Sequence, residues 1–223
     1  MKRKIIILLI VILILSGMGL VKAKEWHDNS VVDFADETMG QVLCEACYMG
    51  SAVTVGNVTY NDLKNIGELR IGYVGNYDTL MDIQYCTGVQ ELSVTGGIGK
   101  LSEQDIETVQ QELGKILPKL KKLKWLSIGS EEKEGWTSIE FLRNQDSIEK
   151  LWIGSCKATD YSVLQTCTSL KEIKIEYSDI SQADDLIGLK KLESIIIYST
   201  PLAENPEEVK KLQEAYPGAD IRY

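Results

Sequence analysis

Histidine is nearly absent from this chain, with His27 the single one among 223 residues. That scarcity excludes zinc sites built on several histidines, and a Ser-His-Asp triad would hang on one residue in an unpatterned leader. An excess of basic residues is also missing. The formal charge is −9, and residues 1–23 hold Lys2, Arg3, Lys4 and Lys22 but no acid, so the remainder carries 20 basic against 33 acidic side chains, a balance of −13. A surface of that sign repels phosphate backbones and anionic headgroups, which argues against nucleic acid as a partner. Cysteines number five, an odd count that leaves at least one outside any internal pairing. None follows the N-terminal apolar run, so no lipoprotein anchor is expected. A C-terminal sorting motif and wall-binding repeats are lacking too, so retention at a surface would fall to the N-terminus or to a partner.

A complete phosphate-binding loop is also lacking. "TGGIGKLS" follows a candidate strand and precedes a helix, but Val94 stands where the first loop glycine belongs and Leu101 where Ser or Thr must follow Lys100. These glycines read as a wide turn. No cofactor, metal or catalytic set is expected.

The first feature present is an export segment, "MKRK" running into "IIILLIVILIL". Val21-Lys22-Ala23 places cleavage after Ala23. The alternative is an uncleaved membrane anchor, since the uncharged run Ile5–Val21 lies at the short limit for spanning a bilayer. Residues 24–30 then form a leader, 31–55 an N-terminal helical cap, and 56–223 a repeat array with a C-terminal helix and final strand.

The repeat shows first in "CTGVQELSV" and "CTSLKEIKI". Six rows share one template, apolar at positions 1, 4, 7, 10 and 12. They begin at Tyr60, Ile83, Leu117, Leu142, Leu164 and Leu186, and only Gln145 is plainly polar. The fourth positions, Leu69, Leu92, Leu126, Leu151, Ile173 and Ile195, advance by 23, 34, 25, 22 and 22 residues. Spacing of three predicts a helical or 3₁₀ turn, and the final spacing of two predicts a short strand with one buried face. A single row cannot bury its own apolar edge, whereas stacked rows share a core.

"LQTCTSLKEIKI", "LIGLKKLESIII" and "FLRNQDSIEKLWIGSC" resemble leucine-rich repeats, specifically the internalin-type repeats of bacterial exported and surface proteins. "VVDFADETMGQVLCEACYMG" resembles the helical cap that precedes them, with Met39, Val42, Leu43, Ala46 and Cys47 on its expected buried stripe. The resemblance implies an α/β repeat solenoid, a right-handed curved stack with parallel strands on its concave face. It also implies an exported, non-enzymatic protein. The family's backbone-bonding Asn position holds Val74, Gly97, Glu131, Cys156, Ser178 and Thr200, so only Cys156 matches outright and a less regular curve is expected.

The step of 34 is filled by "LSEQDIETVQQELGKIL", a helix capped by Ser102 with Asp105 three residues later. A second helix starts at Asn205, with Pro206 in its first turn and Glu208 completing a capping box, and the last strand lies around Ile221. Cys44 and Cys47 form a CxxC inside the cap helix, where packing is favoured over redox chemistry. The outward strand positions carry the functional signal. Trp125 and Trp152 fall on neighbouring strands within aromatic reach, Lys150 and Lys174 flank them, and Ile196 with Tyr198 extends an apolar strip. Gly129 and Gly154 are expected to leave open space for a docked chain.

These six residues are the candidate partner-binding set for an unidentified protein. The alternatives are self-association of a tethered protein through the same strip, or the loop "SEEKEGWTSIE" folding over it. Carbohydrate binding by the indoles ranks lower, because few amides or carboxylates frame them.

Overall fold

The computed structural model describes residues 24–25, 27–48, 54–129 and 135–223. The export segment and the Glu131 turn position lie outside them. Seven strands, β1 (Glu68–Tyr73), β2 (Glu91–Gly96), β3 (Trp125–Ile128), β4 (Lys150–Gly154), β5 (Glu172–Glu176), β6 (Ser194–Tyr198) and β7 (Asp220–Arg222), form one open parallel sheet in chain order. This is an α/β solenoid of leucine-rich-repeat type.

The template has a backbone cause. In the second row Cys86 N–H donates to the Ile83 carbonyl at 2.9 Å and Val89 N–H to the Cys86 carbonyl at 3.0 Å. The same i→i+3 links join Leu117, Leu120 and Leu123, and again Leu164, Cys167 and Leu170. Such turns bring every third side chain to one side, which is why apolar residues recur at three. The chain then straightens, and the period drops to two. Leu69 and Ile71, Leu92 and Val94, and their counterparts through Ile195 and Ile197 all point inward, none more than 2% exposed. Burying each such pair contributes about 3–6 kcal/mol, and only when rows on both sides cover it.

Register is set at the strand entrances. The carbonyls of Gly67, Gln90, Lys124, Glu149 and Lys171 each accept two N–H groups from the row that follows, as Gln90 does from Lys124 at 2.8 Å and Trp125 at 2.9 Å. Corresponding residues therefore line up across the sheet. Every template residue is buried except Tyr60, which stands half-exposed between the rings of His27 and Tyr85, with centroids 4.4 and 4.9 Å away. Gln145 is buried and bonds the Arg143 carbonyl.

Helix α1 (Glu37–Tyr48) departs from the expected stripe. It buries Met39, Gly40, Leu43 and Cys44, and leaves Val42, Ala46 and Cys47 partly covered. The Phe34 ring packs so close to Gly40 that a β-carbon there would sit 2.9 Å from it, and the helix is rolled toward that side. A polar clamp ties this end to the second row. Asp82, 2% exposed, accepts from the N–H groups of Ala35 at 3.2 Å and Asp36 at 3.0 Å, while Asp36 accepts from Met39 at 2.6 Å and Asp78 at 2.5 Å.

Helix α2 (Tyr60–Lys64) is closed by a Thr59–Asp62 capping box. Helix α3 (Glu103–Ile116) fills the long step and starts at Ser102 as expected, whose hydroxyl accepts from Asp105 N–H at 3.2 Å. After β6 come the short α4 (Pro201–Glu204) and then α5 (Pro206–Ala215). Asn205 caps α5, but Glu208 does not complete a box. Its carboxylate instead accepts from Ala183 N–H at 2.7 Å and from Lys211 at 2.6 Å, joining α5 to the preceding row.

Burial raises the Cys44 thiol and pushes that of Cys47 up to about 12, the opposite of what a redox pair needs. Cys86, Cys156 and Cys167 are buried thiols of the core. Among the described residues no helix is long and apolar enough to cross a membrane.

Candidate partner-binding face

Strand alternation and register together build three outward columns. The first runs Glu68, Glu91, Trp125, Lys150, Glu172, Ser194 and Asp220. The second runs Arg70, Ser93, Ser127, Trp152, Lys174, Ile196 and Arg222. In the third, Gly154, Glu176 and Tyr198 follow one another. All six candidate residues thus share one face.

Trp125 opens β3 and stands between Glu91 and Lys150, its side chain free enough that the residue is 42% exposed. Trp152 is held differently. Its Nε1 donates to Glu176 Oε2 at 3.0 Å, the Lys174 ammonium meets the same oxygen at 2.8 Å, and Nζ lies 5.5 Å from the indole centroid. The indole is thereby drawn toward the far end of its strand and lies over Gly154 and Gly129, where added β-carbons would come within 3.4 and 3.5 Å of the ring.

Two expectations fail for this reason. The glycines are the seat of Trp152 rather than open space beside both indoles, and the two indoles make no ring contact with each other. The apolar strip is broken as well, because the Lys174–Glu176 pair of β5 stands between Trp152 and the half-exposed Ile196 and exposed Tyr198 of β6.

Two hollows of about 310 and 360 Å³ flank the indoles and share Trp125, Ser127 and Trp152. Glu68, Arg70, Glu91, Ser93 and Thr95 complete the first, and Lys150, Glu172, Lys174 and Ile196 line the second. Carboxylates therefore frame the indoles more than expected. Arg70 is committed to Glu68 at 2.6 Å, Lys150 to Glu172 at 2.8 Å, and Arg222 to Asp220 at 2.5 Å. Glu91 alone among the face's described carboxylates makes no ion pair. Below the face, Lys124 and Lys171 each reach Glu149 at 2.7 Å and hold its carboxyl down at about 2. The described residues include no group of three or more His, Cys, Asp or Glu placed to bind a metal.

Residues 130–134 of the proposed covering loop lie outside the described residues. Its described part runs to the core and to α3, with Trp136 fully buried against Phe141 and the N–H groups of Thr137 and Ser138 bonded to Gln110. Sequence reasoning gave no role to Glu91, Ser127 or Glu176, and the signal available was their adjacency to an indole along the outward strand positions. It missed Tyr177, 64% exposed at φ 51°, which follows β5 in the left-handed position that Ser155 and Ser199 hold after β4 and β6.

No protein-family model matches this chain, and no curated protein does. Among solved structures it is similar to an internalin (inlF) from Listeria monocytogenes, at 16% identity and a TM-score of 0.40, over 79% of this chain and 61% of that one. An internalin C2 (inlC2) from the same species is similar at 16% identity and a TM-score of 0.41, over 88% of this chain and 95% of that one.

Proposed function

We propose that the chain is an exported, non-enzymatic leucine-rich repeat protein that docks a protein partner on the concave sheet face, through Trp125, Lys150, Trp152, Lys174, Ile196 and Tyr198. The observation that carries this reading is the pair of hollows meeting at Trp125 and Trp152 on a face left open by the described chain. Covering the wet part of Trp125 contributes on the order of 2–3 kcal/mol of apolar burial. Trp152 is pre-ordered by Glu176 and Lys174, so a partner meets it without the cost of fixing its rotamer. Chemistry finds less support. The hydroxyls lining the hollows, Ser93, Thr95, Ser127 and Ser194, have no imidazole near them, since His27 stacks on Tyr60. Export rests on the basic and apolar N-terminal segment ending at Ala23.

The test is affinity capture from envelope extracts and spent medium of the source organism, beside a Trp125→Ala/Trp152→Ala variant with an unchanged circular dichroism spectrum. A protein retained by the wild type and lost by the variant is expected. Equal retention by both overturns the reading. Mass measured across a concentration series separates a partner from a second copy.

A further inference from the structure

We infer that the group seated in the hollow beside Glu91 is a cationic side chain, arginine or lysine, carried by the docked partner; this rests on the docking reading above. The molecule shows the arrangement once with its own residues. At Trp152, an indole on β4 and a carboxylate on β5 hold the ammonium of Lys174, bonded to Glu176 at 2.8 Å and 5.5 Å from the ring centroid. Trp125 and Glu91 repeat the indole and the neighbouring-strand carboxylate, as register partners on β3 and β2.

No cation of the described chain completes that second set. Arg70 is tied to Glu68 at 2.6 Å, and Lys150, on the other side of Trp125, is tied to Glu172 at 2.8 Å. Glu91 is half-buried in the wall of the 310 Å³ hollow, so its charge faces a confined space with two indoles rather than bulk solvent alone. A guanidinium or ammonium placed there gains a charge-assisted hydrogen bond and an aromatic face together. An anion gains neither. Charge also decides against a second copy as the occupant, because the balance of −13 beyond Ala23 makes two copies repel. A basic segment of a different protein fits.

The experiment titrates the protein at low ionic strength with a hexa-arginine peptide, following tryptophan emission, beside a hexa-citrulline peptide of the same shape without charge. Hexa-arginine is expected to bind, hexa-citrulline not to bind, and Glu91→Gln to weaken binding about tenfold, the size of one charged hydrogen bond. Glu107→Gln, on the exposed side of α3, is expected to leave binding unchanged. The inference is overturned if hexa-arginine does not bind, if Glu91→Gln binds as the wild type does, or if Glu107→Gln weakens binding equally. The two readings fail separately. A captured partner that depends on the indoles but not on Glu91 leaves docking standing and removes the cationic occupant, whereas capture indifferent to the indoles removes docking itself.

Discussion

Asp82 shows what one buried charge does in this fold. Burial raises its pKa, although the Ala35 and Asp36 amides pull the other way. A carboxyl raised above its ordinary 3.8 binds protons more tightly folded than unfolded, so its ionisation takes stability away as pH climbs from 3.8 through the raised value. Removing the side chain is nonetheless worse, because it leaves the buried Asp36 amide, and the partly covered one of Ala35, without their acceptor. Asp82→Ala is expected to lower the unfolding free energy by about 2–4 kcal/mol. Urea denaturation checks this, and an unchanged midpoint would mean that the amides find water. None of this was legible beforehand, since an Asp one residue before Ile83 reads as solvent-facing polarity. Trp152 is similar: its column could be read from strand alternation, but its lean could not, because Glu176 lies twenty-four residues away.

At the scale of elements, two glycines with the same side chain predict opposite effects. Gly88 lies where one row passes over the preceding one, and a β-carbon there would stand 1.9 Å from the Lys64 carbonyl oxygen and 3.2 Å from that of Ile66. Both obstacles are backbone and cannot swing aside. Gly88→Ala is therefore expected to cost at least about 2 kcal/mol. Gly114 lies inside α3, and a β-carbon there meets only the Phe141 β-carbon at 3.8 Å, an ordinary contact. Gly114→Ala is expected to stabilise by about 0.5–1 kcal/mol through helix propensity. Thermal melts of the two variants should move in opposite directions. Helix α3 itself was legible from its Ser102 cap and periodic apolar residues, while the roll of α1 was not, because Gly40 has no apolar weight in a pattern yet receives the Phe34 ring.

For the whole molecule, stability is a sum over rows and the contacts between them. One such contact is the Lys124–Glu149–Lys171 ladder across three strand entrances. Glu149 is held at about 2 from an ordinary 4.5, first by the hydrogen bond from Lys124 and next by that from Lys171. An acid whose folded pKa is depressed contributes stability above its unfolded value and loses it as pH falls through the folded one. The stability gap between wild type and Glu149→Gln is thus expected to be present at pH 7, constant down to about 4.5, and to close toward pH 2. Added salt should narrow it at every pH, because the ladder is partly exposed. Denaturation curves at a series of pH values check both, and a gap that widens in acid would contradict this account.

The solenoid, the count of rows and the face on which the indoles stand follow from the sequence alone, because turn and strand periods depend on local backbone geometry and apolar spacing records them directly. Tertiary structure decided the rest. It turned Trp152 away from Trp125 and onto Gly129 and Gly154, broke the apolar strip with Lys174 and Glu176, paired the face's other carboxylates while leaving Glu91 without a cation, and drew Glu208 away from its helix cap. The Lys174–Glu176, Arg70–Glu68 and Arg222–Asp220 pairs form within one strand, whereas the seat of Trp152, the Lys150–Glu172 pair and the Glu208–Ala183 bond join groups a row apart. Such distances close only when rows stack, and residue spacing along the chain does not specify which of several neighbouring partners an acid or an indole will take.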